Sequence, residues 1–161
     1  MNKVKSLTIL IFSIIIICSI ISCTEKKVEH PFPADKNPWF SIKKERIQKL
    51  LPDAMKIAGV DLWMVICREN NNDPLATHVG GENSGGTAAF LFFLKDNKVE
   101  SIAISPRGEA KALQEIGLLD KYVIIDRRQG IWKVIAEQIE KADPNRIAIN
   151  SSNYSIADGL S

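Results

Sequence analysis

The residues of this 161-residue chain whose types could do chemistry are three cysteines, two histidines, a glycine-rich run and one dense polar cluster. A zinc centre takes three or four Cys, His or carboxylate ligands, often paired at short spacing. His30 stands among prolines and His78 has no second His or Cys within ten residues, so no metal site is expected here. Cys67 lies inside the apolar run Leu62-Trp63-Met64-Val65-Ile66-Cys67. A thiol so placed is a small hydrophobe with a raised pKa, which predicts an inert cysteine rather than a nucleophile. Nucleophilic serine chemistry has no Gly-x-Ser-x-Gly elbow to use, and Ser84 reads as a loop serine. Gly80-Gly81-Glu82-Asn83-Ser84-Gly85-Gly86 has the glycines of a phosphate cradle. It lacks the Lys that should follow them, and the next segment reads as a strand instead of a helix, so it is read as a connection between elements. Arg68-Glu69-Asn70-Asn71-Asn72-Asp73 is the densest polar cluster, just past the carboxyl end of a buried strand. Ligands gather at such ends in open α/β sheets, so substrate contact is sought there, against the plainer reading of a solvated loop.

The remaining cysteines belong to the start of the chain. Lys3 and Lys5 precede an apolar run over residues 7–21, the charged and apolar regions of a secretory signal. As a helix the run spans about 22 Å, short of the ~30 Å hydrocarbon core, so a permanent membrane span is disfavoured. Ile20-Ile21-Ser22-Cys23 resembles the bacterial lipobox, with an aliphatic residue three before the cysteine and a small residue just before it. That resemblance implies a signal peptide over 1–22, lipidation at Cys23, and an exported lipoprotein held at a membrane of a bacterial cell envelope. With Cys18 removed and Cys23 acylated, Cys67 stands alone, so no disulfide framework is available and the fold must rest on its core. Pro31, Pro33 and Pro38 each lack an amide donor and extend their predecessors, so 23–40 reads as a tether.

The elements that would position these groups follow from periodicity. Ile47, Leu50, Leu51, Ala54, Met55 and Ala58 recur at three and four after a possible cap at Ser41, and Gly59 suits the helix end. Pro52 inside that stripe predicts a kink, or two helices with Pro52 opening the second. Residues 61–68 read as a strand buried on both faces. Residues 88–94 and 99–105 flank the hairpin signal Lys95-Asp96-Asn97-Lys98. Helices are expected over 107–116 and 130–141, and strands over 122–126 and 146–150. Helix, strand, hairpin, helix, strand, helix, strand predicts a mixed α/β domain over 41–161, its largely parallel sheet flanked by helices.

Composition narrows the partners. Hydrophobic residues make up 45% and charged residues 25%, a globular balance that excludes a disordered tail or coiled coil. Removing Lys3 and Lys5 leaves 19 cations against 19 acids, and a neutral domain without a basic stripe is not expected to bind nucleic acid.

Taken in order, Trp63-Met64-Val65-Ile66-Cys67-Arg68-Glu69-Asn70-Asn71, Asp73-Pro74, Gly80-Gly81-Glu82-Asn83 and Ala157-Asp158-Gly159-Leu160-Ser161 resemble the amino-terminal domain of the creatinase and Xaa-Pro aminopeptidase family, the pita-bread metallopeptidases, in its exported bacterial branch. The resemblance covers about residues 42–161. It implies a non-catalytic domain that associates subunits, as a homo-oligomer, and narrows access to an active site. Two divalent metal ions held by two Asp, one His and two Glu would belong to a carboxy-terminal domain, so no cofactor and no catalytic residue is expected in this chain, which should be inactive alone. Peptide substrate would be met only with that second domain, and Arg68, Asn70 and His78 are the residues that could reach its rim. Two other readings stay open: a self-sufficient cell-surface binding module, and an enzyme that uses the 68–73 loop.

Overall fold

The segment Ala88–Lys95 offers no polar side chain over its first seven residues and must be covered on both faces. The computed structural model describes residues 38–69, 73–82, 84–126, 128 and 130–151. The chain runs α1 (Pro38–Glu45), a π-helical turn (Arg46–Leu50), α2 (Leu51–Ala58), β1 (Leu62–Cys67), α3 (Ala76–Val79), β2 (Ala88–Lys95), β3 (Lys98–Pro106), α4 (Arg107–Ile116), β4 (Lys121–Ile125), α5 (Ile131–Ala142) and β5 (Ile147–Ile149). The strands form one sheet in the order β4-β3-β2-β1-β5. β1 is parallel to β5 and β3 to β4, while β2 is antiparallel to both neighbours. Four strands therefore point one way, and the fold is the mixed, largely parallel α/β sheet with flanking helices that the element order implies.

The alternation of side chains along the strands builds two cores. Val65, Cys67, Phe90, Phe92 and Ala103 face one side, covered by Ile47, Met55, Val79, Leu118 and Leu119. Leu62, Ile66, Leu91, Phe93 and Ile104 face the other, covered by Ile131, Val134 and Ile135 of α5. Trp63 is half-buried and stacks on its cross-strand neighbour Phe92 with ring centroids 5.0 Å apart. Asp96 and Asn97 both take positive φ, 48° and 65°, the tight two-residue hairpin turn whose twist matches the strands it joins.

The first helix begins at Pro38, three residues before Ser41, because proline is already set for the first helical turn. Ser41 is thus inside the helix and caps nothing. Pro52 does open a second helix. Its ring cannot sit against the carbonyl four residues back in a regular helix, and the chain widens ahead of it, with Leu51 N–H donating to Arg46 O. Side chains pin the connections. Asp120 Oδ2 accepts from Ser101 N at 2.8 Å and Ser101 Oγ at 2.7 Å, and Ser101 Oγ accepts from Asp120 N at 3.0 Å. Asp61 Oδ2 accepts from Asn145 N and Arg146 N, both at 3.0 Å, which lays β5 beside β1. Among the described residues no helix is long and apolar enough to cross a membrane. The apolar run 7–21 and Cys23 lie outside them.

Candidate functional site

β1, β3, β4 and β5 all end at one edge of the sheet, where open α/β folds gather their ligands. Cys67 closes β1 at that edge and is fully buried. Burial pushes its thiol up to about 12, the carboxylates of Asp73, Glu82 and Glu109 push the same way, and a hydrogen bond with Ser84 only partly offsets them. At neutral pH the group is a thiol, not a nucleophile. The glycine-rich run lies over it. A Cβ on Gly81 would overlap the Cys67 sulfur and stand 2.8 Å from Phe90 Cε2, so only glycine lets the backbone pass so close.

Asp73 is 2% exposed, which corrects the solvated-loop reading for that residue. Its carboxylate accepts from Leu75 N at 2.8 Å, opening α3, and from Asn150 Nδ2 at 3.0 Å, just beyond β5. A carboxylate taken from water this way ties the residue before α3 to the residue after β5. Glu109 sits in the first turn of α4, where the helix dipole favours an anion. Among the described residues, Glu109 Oε2 and Ser105 Oγ are buried without a hydrogen-bond partner.

An apolar groove lies elsewhere. A groove of about 250 Å³ lies on the helical side of β1, walled by Ile47, Leu51 and Ala54, by Trp63, and by Leu75 and Val79. Leu50, 62% exposed, stands at its margin. Arg46 and His78, both exposed, supply its polar groups, with Arg46 Nη1 3.2 Å from His78 Nδ1. A guanidinium can only donate, so Arg46 is the donor wherever this contact is a hydrogen bond. Arg46 is the first residue of the widened turn ahead of Pro52.

Of the three rim candidates, His78 is brought to this groove, Arg68 leaves β1 at the carboxyl edge and does not line the groove, and Asn70 lies outside the described residues. Sequence reasoning missed Arg46 and Trp63 as site residues. Arg46 reads as one more cation on a solvated helix face, and Trp63 reads as core. Among the described residues no group of three His, Cys, Asp or Glu is arranged to hold a metal ion. No protein-family model matches this chain, and no curated protein matches it.

Proposed function

We propose that this chain is a non-catalytic association and access domain: the amino-terminal domain of a Xaa-Pro aminopeptidase-type protein, exported and lipid-anchored through Cys23. The observation that supports it best is the contrast between the two polar regions. The carboxyl edge, where an enzyme of this fold class would keep its reactive groups, holds a thiol pushed to about 12 and a carboxylate locked into hydrogen bonds with Leu75 and Asn150. The groove beside β1 is apolar, and its lining carries no nucleophile or paired carboxylates. Such a surface binds or docks. In this reading the domain works as one of several copies, and peptide is cleaved only by the metal-bearing domain joined to it. A self-sufficient cell-surface module is the second reading, favoured by the same groove, which needs no second domain to exist.

The gene decides between them. The first reading requires the frame to continue past the Ser161 codon into a segment with two Asp, one His and two Glu. A stop codon there, with a stable membrane-bound product that carries fatty acid at Cys23, overturns it in favour of the second.

A further inference from the structure

We propose that the groove beside β1 binds the carboxy-terminal residue of a peptide, with an apolar side chain in the channel and the terminal carboxylate on Arg46. The proposal stands on the groove alone and survives or fails independently of the family reading.

Charge complementarity carries it. Among the cations of the helical segment 38–58, Lys43 meets Glu82 at 2.5 Å, Lys49 meets Glu45 at 2.7 Å and Lys56 meets Asp53 at 3.2 Å. Lys44 lies over the Phe40 ring, 5.7 Å from its centroid. Arg46 Nη1 lies against His78 Nδ1, and no described carboxylate meets the guanidinium. Among the described residues no carboxylate compensates this charge, which stands at the side of a largely apolar channel. A guanidinium is the side chain best shaped to take a carboxylate through two parallel N–H donors.

Size selects the rest of the ligand. At about 250 Å³ the groove falls below the ~300–1,000 Å³ of sites that enclose whole small molecules. It suits an anchoring side chain, set against Trp63 and Leu51, rather than a cofactor. Carboxylate and apolar group must lie close together, and the last residue of a peptide carries both on one Cα. Where the anchor enters, Leu50 and Trp63 lose water-exposed surface on binding, the contribution expected of an interface anchor.

The test uses the full chain in phosphatidylcholine nanodiscs, with Trp39→Phe and Trp132→Phe so that Trp63 is the sole tryptophan. Both replaced residues are more than half exposed, so the changes leave the cores intact. N-acetyl-alanyl-leucine as the free acid, the same dipeptide as its C-terminal amide, and octanoate are titrated against Trp63 fluorescence. The acid should saturate, with the amide weaker by about tenfold or more, the loss of one charge-assisted pair. Arg46→Met should weaken the acid by at least that factor while leaving the melting temperature unchanged and amide binding unmoved. No saturation of the acid by about 10 mM, an acid-to-amide ratio below tenfold, or octanoate binding tighter than the acid each overturns the proposal.

Discussion

Cys67 shows how one residue's environment becomes a measurable property. Burial, and then the carboxylates of Asp73, Glu82 and Glu109, disfavour the thiolate, and the Ser84 hydrogen bond works against them only in part. The folded thiol stays protonated to about 12, whereas the unfolded one ionises near 9. Below pH 9 both states hold the proton and the stabilisation is complete. As pH rises from 9 toward 12 the unfolded state loses its proton first, so stability falls by up to about 1.4 kcal/mol per pH unit. Urea midpoints measured at pH 8 and pH 10.5 should therefore diverge more for the parent than for Cys67→Ala, because lysine and tyrosine titrations are common to both. Equal pH sensitivity in the two proteins would show that the thiol is open to water. Arg46 makes the opposite point: a cation on an exposed helix face stands out only because the fold sets it beside His78 at an apolar groove.

At the scale of elements, the sheet is held by apolar pairing but its connections are held by a few polar side chains. The Ser101–Asp120 cluster binds the loop after α4 to the middle of β3, and Leu119 N donates to Tyr122 Oη at 3.0 Å in the same loop. Removing the Asp120 carboxylate leaves the amide and hydroxyl of fully buried Ser101 without their acceptor. Asp120→Ala should cost about 1–3 kcal/mol, the penalty of stranded buried donors, with the slope of urea denaturation unchanged. A loss below about 0.5 kcal/mol would place this loop among surface features that tolerate change. Glu100 on the same strand takes Lys121 and Lys95, and these ammonium groups hold its carboxyl below the ordinary range. That pairing is exposed enough that its contribution is small.

For the molecule as a whole, the two cores share the sheet, so damage to a central strand disables both. Val65 is fully buried on β1, between the helical cover and the β2 side chains. Val65→Asp puts an unpaired charge there at a cost of several kcal/mol, against a typical total of ~5–15. The variant should lack a cooperative thermal transition by circular dichroism; a melt like the parent's would mean that β1 is misplaced. Much of this architecture was legible in the chain itself. The apolar stripe of α5, the uninterrupted runs of β1 and β2, the break at Pro52, a hairpin turn within Lys95-Asp96-Asn97-Lys98 and a buried Cys67 follow from residue type and local spacing, because periodicity and turn stereochemistry are properties of short segments. Leu50, Ala54 and Ala58 of the stripe expected over 47–58 are instead exposed. The strand order, with β5 returning to pair with β1, depends on contacts between distant segments that no local pattern encodes. For the same reason the burial of Asp73, held by Asn150, runs against its polar surroundings in the chain. The groove is the clearest case. Arg46 and His78 stand 32 residues apart, and only the packing of the π-helical turn and α3 against β1 brings a cation, an imidazole and a tryptophan to one apolar channel.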